Sequence, residues 1–264
     1  VQEDGRVDIS KLSKLIDEKT VLVSIMYANN EIGTIQPLRD IARELIKIRE
    51  HRHMSGNDLP LYFHTDACQA ANYLPLLINS LGVDMMTLNG GKIYGPKQSG
   101  ILYVKTGLNL SPQILGGGQE RGIRSGTENV PAIIGFAAAL IETAQMQETE
   151  AIRLQVLQRD AINKLQEKLP QLVVNGTTKY RLPNNIHITI PGTDNETVMM
   201  RLDEAGMQVA TGSACSASSD EPSHVLTALG LSEESARSSL RITLGRYSTQ
   251  DDLLLLADTL SRLV

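Results

Sequence analysis

The chain has 264 residues, enough for one α/β domain or two smaller ones with a sizeable core, and its composition is ordinary for a globular protein. A net charge of −5, no Trp, two Phe and seven Tyr argue against a basic or base-stacking surface, so neither nucleic acid nor a membrane is expected as a partner. Two distant cysteines, Cys68 and Cys215, make neither a disulfide framework nor a CxxC pair, and with no signal peptide and no apolar run of spanning length the expected setting is the reducing cytoplasm.

VLVSIMYA (21–28) is a continuous apolar run with β-branched residues and reads as a buried parallel strand ending at Asn29–Asn30. Pro37 then opens a helix on which Leu38, Ile41, Ala42, Leu45 and Ile48 recur at helical spacing. HRHMSGND reads as a surface loop. LPLYFHTDA (59–67) is a second strand ending at Asp66, VDMMTL (83–88) a third running into NGGK, and SGILYVK (99–105) a fourth. Strands alternating with helices predict an α/β fold, a mostly parallel sheet flanked by helices, and ligands of such sheets sit beyond the carboxyl ends of the strands. Asn30, Asp66 and Lys92 each lie just past a strand, so separate strands aim polar residues at one crevice.

Residues 108–130 are glycine-rich and irregular, and from Pro131 to about Leu169 the pattern is a long or broken helix joining two domains. Beyond it, NNIHITI is a strand and TVMMRLDEAG a helix closed by Gly206. QVATGSAC is a short strand with a loop, and SLRITLG another strand. The last helix begins near STQDD, with Leu253, Leu256, Ala257 and Leu260 as its apolar stripe. The expected organisation is a partial large domain over 1–130, a connecting helical segment over 131–169, and a small α+β domain over 170–264.

The glycine clusters are not phosphate loops. Before Gly91–Lys92 the first Gly of a Walker A loop is replaced by Met86, and Ile93 follows the lysine; in GGGQERG, Arg121 takes the last Gly position of G-x-G-x-x-G. Lys92 and Asp66 suit a different chemistry. Pyridoxal 5′-phosphate (PLP) needs a lysine that anchors it covalently and a carboxylate on its ring nitrogen. Cys215, in ATGSACSASSDEPSH, has small polar neighbours rather than core residues, as a nucleophilic thiol does. Cys68, in DACQA, reads as a small packing residue.

These motifs, with VLVSIMYANNEIGTIQP, HTDACQA, NGGKIYGPKQSGILYV, GGGQERGIRSGTENV and SSLRITLGR, run in one order over nearly the whole chain. Together they make it resemble the cysteine desulfurase family of PLP enzymes, fold type I, in its long-loop iron–sulfur and nitrogen-fixation group. The resemblance implies that Lys92 anchors PLP and moves the substrate proton, Asp66 pairs with the ring nitrogen, and Gln69 bonds the phenolic oxygen. It places Asn30 near cofactor and substrate, and has Arg241 clamp the carboxylate of L-cysteine. Thr127 would reach the PLP of a partner subunit in a homodimer. Cys215 would accept the sulfur as a persulfide and pass it to an acceptor protein, an iron–sulfur scaffold or a tRNA-thiolation carrier. No metal is implied.

Two departures stand out. The family reads [ST]-G-H-K where this chain has Asn89–Gly90–Gly91–Lys92, leaving the Asn89 amide and the Gly91 backbone N–H as phosphate donors. One lost hydrogen bond to a charged group costs about 1.5–3 kcal/mol, so weaker PLP retention is expected. The family's N-terminal portion, with a phosphate loop and a ring-stacking histidine, has no counterpart here, so the chain reads as N-terminally incomplete and poorly active by itself. The alternative activities are selenocysteine lyase, or none, as in a degenerate paralogue.

Overall fold

The computed structural model describes residues 1–212 and 221–264. Its larger sheet runs β1 (Leu22–Ser24), β2 (Tyr62–Asp66), β3 (Met85–Asn89), β4 (Gly100–Val104). β1–β2 and β2–β3 pair in parallel, whereas β4 lies antiparallel to β3. The reversal follows from the short connection after β3, which holds no crossover helix; a parallel return needs one.

Helices α1 (Ile9–Leu15), α2 (Leu38–Met54) and α3 (Ile78–Leu81) accompany these strands. α2 buries Leu38, Ile41, Ala42 and Leu45, the predicted stripe. It also runs through HRHM, where the sequence suggested a loop. The reason is Arg52, a buried residue whose guanidinium donates to the carbonyls of Thr20 and Asp17 and so ties the last turn of the helix to the chain before β1.

α4 (Val130–Lys168) is one unbroken helix of 39 residues, capped by Asn129. By length and hydropathy (a window mean of 1.2) it could cross a membrane. In this fold its C-terminal half packs into the core through Leu154, Ala161, Ile162 and Leu165, against α8 (Gln250–Leu263). Its N-terminal half leaves Val130, Ile133, Ile134 and Ile141 exposed, and Ile101 and Leu102 of β4 are exposed too.

The smaller sheet, β5 (Val173–Val174), β6 (Asn185–Thr189), β7 (Ser239–Thr243), is antiparallel. α5 (Asn195–Glu204), α6 (His224–Ala228), α7 (Glu233–Arg237) and α8 surround it. α8 starts with a Thr249–Asp252 capping box and buries its predicted stripe. The strand expected in QVATGSAC is reduced to a single bridge, Ala210 to Arg241.

Both faces of β6 are buried, and they differ. Ile186 and Ile188 enter the apolar core. Asn185, His187 and Thr189 occupy the other face, opposite Thr243, Arg241 and Ser239 of β7. This polar face meets the turn that follows β1: Asn185 Nδ2 donates to the Glu31 carbonyl at 2.7 Å. The approach is so close that a Cβ at Gly33 (φ +71°) would lie 2.7 Å from Asn185 side-chain atoms.

Candidate active site

The lysine turn is held from several sides. Asn89 caps the short 3₁₀ turn Gly90–Lys92, its Oδ1 accepting from Gly91 N at 2.8 Å. The N–H groups of Ile93 and Gly95 both return to the Gly90 carbonyl, and Asn72 Nδ2 donates to the Lys92 carbonyl at 2.5 Å. The Gly91 N–H expected to face a phosphate is therefore spent inside the Asn89 turn, the ordinary habit of an Asn before a tight turn. Asn89 Nδ2 is left as the donor of that pair. Tyr94 adopts a left-handed backbone (φ +61°), its hydroxyl accepts from Arg246 N at 3.0 Å, and its ring lies under the Arg246 guanidinium at 4.3 Å. This ties the lysine turn to the segment after β7.

Lys92 shares the walls of an open cavity of about 280 Å³ with Asn30, Gln69, Gly91 and Arg241, five of the residues singled out from sequence. Arg241 comes from the smaller sheet, and its Nη1 donates to the Asn30 carbonyl at 3.1 Å. The turn carrying Asn30 is folded by Asn29, whose Oδ1 accepts from Glu31 N and Ile32 N at 2.8 and 2.9 Å.

Asp66 ends β2 without lining the cavity, and its Oδ1 accepts from Cys68 N at 2.8 Å. Burial, with Asp66 adding, pushes the Cys68 thiol up to about 12 although Lys92 opposes it. Cys68 is thus a protonated thiol, in keeping with a packing role. Thr127 borders a different cavity, with Ser99, Arg124 and Asn129, and does not join Lys92 within one chain. Cys215 lies outside the described residues. Among the described residues, no group of His, Cys, Asp and Glu could hold a metal ion.

Asn72, Tyr94, Glu31 and His187 carried no local signal that would have singled them out. Burial raises the Glu31 carboxyl, with the Ser223 hydroxyl, Arg241 and His224 pulling the other way. Burial lowers His187 to about 3, helped by the charges of Arg181 and Arg241.

The profile of the family Aminotransferase class-V matches residues 1–256. Cysteine desulfurase IscS of Dictyoglomus turgidum is 41% identical over 264 residues, 100% of this chain and 64% of that protein. Cysteine desulfurase IscS 1 of Archaeoglobus fulgidus is 44% identical over 253 residues, 96% of this chain and 63% of that one. Among solved structures, a NifS-like protein from Rickettsia africae matches with a TM-score of 0.88 at 33% identity, over 100% of this chain and 68% of its own. The chain thus spans a little under two thirds of the curated relatives, 64% and 63% of their length.

Proposed function

Because the chain belongs to the aminotransferase class-V family, a class of PLP-dependent enzymes of the type I fold, we propose that it forms the lysine- and carboxylate-binding part of a cysteine desulfurase. One observation supports this above the others: Lys92 from the larger sheet and Arg241 from the smaller line the same cavity, and Asn30 and Gln69 line it too.

The residues present fit PLP. A Cβ at Gly91 would press on the Asn89 Oδ1 at 3.3 Å and meet Lys97 near 4 Å, so the glycine keeps the space beside the lysine turn clear. The donor set supplies an amine for an aldehyde, a carboxylate for a ring nitrogen and an amide for a phenolic oxygen, in Lys92, Asp66 and Gln69. When bound, PLP makes the Cα–H of an attached amino acid acidic by withdrawing electrons from it.

The chain's own residues then divide the work. Arg241 takes the carboxylate of L-cysteine, a pairing suited to a guanidinium fork. Asn30, whose carbonyl receives Arg241, sets where that fork points. Lys92 Nζ takes the Cα proton of the substrate. The Cys215 thiolate attacks the substrate sulfur; the C–S bond breaks, Cys215 keeps the sulfur as a persulfide and L-alanine leaves. An acceptor protein, an iron–sulfur scaffold or a tRNA-thiolation carrier, then takes the sulfur.

The exposed apolar residues of β4 and the first half of α4 favour a homodimer, in which Thr127 would serve the partner's site. Light scattering should give twice the monomer mass.

The test is alanine formed from L-cysteine by the purified, PLP-loaded protein. Lys92→Ala and Cys215→Ala should each abolish it. Activity retained by Cys215→Ala would refute the desulfurase reading and favour a selenocysteine lyase.

A further inference from the structure

The backbone beside Lys92 is strained where the chain is otherwise rich in glycine. Tyr94 stands at φ +61°, a left-handed conformation that a bulky side chain adopts only at a cost. Gly90, Gly91 and Gly95 lie around it, yet this position carries a tyrosine. Such a conformation persists only where the surroundings hold it, and residues of this kind gather at functional sites.

The Tyr94 side chain is held closely. Its hydroxyl accepts from Arg246 N at 3.0 Å, and its ring lies under the Arg246 guanidinium at 4.3 Å, a cation–π contact. The guanidinium is fixed in turn by α4, with Nη1 donating to Glu142 Oε1 at 2.9 Å and Nη2 to Thr143 Oγ1 at 3.4 Å. Thr143 Oγ1 donates to the carbonyl of Ile93, the residue between Lys92 and Tyr94, at 3.5 Å. Further along α4, Gln147 Nε2 donates to the carbonyls of Ala71 and Leu74, on either side of the Asn72 whose amide holds the Lys92 carbonyl. Arg153, paired with Glu150, donates to the carbonyls of Gly245, Arg246 and Ser248. Thr143, Gln147, Glu150 and Arg153 follow helical spacing, so one face of α4 grips both the lysine turn and residues 245–248. Those residues continue from β7, the strand of Arg241. Tyr94 is the side chain that joins the two gripped pieces directly. The Lys92 side chain is exposed, so the place of its amine is set by the turn that carries it.

We propose that Tyr94 is a positioning residue for Lys92: docked on Arg246, its side chain keeps the lysine turn in its left-handed form and fixes it relative to the strand that carries Arg241. This rests on the reading of Lys92 as the lysine that anchors PLP and moves the substrate proton. A group with both tasks loses rate steeply when its place is loosened. Glycine at position 94 separates this role from a merely structural one, because it suits the left-handed backbone and removes the tie.

The experiment compares the protein with Tyr94→Gly, Arg246→Ala and the double variant. Three quantities are read: the apparent dissociation constant of PLP from the absorbance of its linkage to Lys92, kcat and KM for L-cysteine at saturating PLP, and the denaturant midpoint of the cofactor-free protein. Y94G should raise the PLP constant and lower kcat, each by about tenfold, with KM within about twofold. Its midpoint should stay near the parent's, because relief of the backbone offsets the lost contacts. On the R246A background Y94G should add less than about twofold, because both changes break one interaction. A parental PLP constant and kcat in Y94G, fully multiplicative effects, or deficits that come only with a lowered midpoint would overturn the proposal. Covalent PLP still trapped by borohydride in Lys92→Ala would instead overturn the reading of Lys92 itself. If Y94G does not fold, R246A carries the test: a raised PLP constant and a lowered kcat are expected, and parental values refute the role.

Discussion

The two sheets contribute to the cavity in different ways. The larger one contributes its ends. β2 ends on Asp66, its last paired residue, and β3 delivers Lys92 into the cavity wall just past its own last paired residue, Asn89. The smaller one contributes a face. Arg241 sits inside β7, paired across to His187 and surrounded by buried polar neighbours that bond one another, with Asn175 reaching His187, Thr189 and Ser239. A residue beyond a strand end can be changed with little effect on folding, because only its reactive group is at stake. A residue in a buried polar face cannot, because removing one partner strands the others without water.

The sharpest way to break this contrast is at Lys92. Lys92→Ala should lower desulfurase activity by about 10⁴-fold and abolish covalent PLP, which borohydride reduction followed by mass spectrometry would show. The side chain is exposed, so unfolding free energy without cofactor should stay within about 0.5 kcal/mol of the parent. A large loss of stability would erase the distinction between the two sheets.

Gly91 sharpens the strand-end side. Its backbone accepts a side chain and the nearest obstacle is Asn89 Oδ1 at 3.3 Å, while its own N–H is already engaged by that oxygen. Once Asn89 Oδ1 yields by a few tenths of an ångström, Gly91→His should add a phosphate donor and tighten PLP binding by about 1.5–3 kcal/mol, measured by equilibrium dialysis. Unchanged affinity would mean that the lysine turn does not face the phosphate.

Asn175 tests the face. Asn175→Ala leaves His187 Nδ1 and the Thr189 and Ser239 hydroxyls short of a partner. It should cost about 1–3 kcal/mol in chemical denaturation, with the Lys92–PLP linkage intact.

The same contrast decides what could be read in advance. An apolar run that stops at a polar residue marks a strand end without reference to anything else in the chain, and Asn30, Asp66 and Lys92 were found that way. The stripe of α8 is equally local. NNIHITI, by comparison, alternates polar and apolar as a half-solvated strand does. Its polar side is covered by the turn at Glu31, 154 positions away from the Asn185 that bonds it. No local pattern reports which surface will arrive there. The same holds for Arg52, whose helical turn persists because of carbonyls at Asp17 and Thr20. Thr127 is further still from legibility, since its place at a PLP site would require a second chain.

The most gradual effect expected from the buried face is its acid sensitivity. His187 is held neutral in the folded protein, lowered to about 3 from an ordinary 6.5. Between those values the unfolded chain binds a proton that the folded chain refuses, so stability falls as pH drops through that window, by at most about 1.4 kcal/mol per pH unit. Glu31 has the opposite sign. Its folded value is raised above the ordinary 4.5, so just above 4.5 the folded state holds the extra proton, and that contribution is lost as pH rises. Arg181 and Arg241 stay charged throughout and do not titrate there. Unfolding free energies from pH 4 to 6.5 should therefore show a shallower slope in His187→Gln than in the parent, and a steeper one in Glu31→Gln. Equal slopes in His187→Gln and the parent would mean that His187 takes up its proton before the protein unfolds, and that water reaches a face the fold closes.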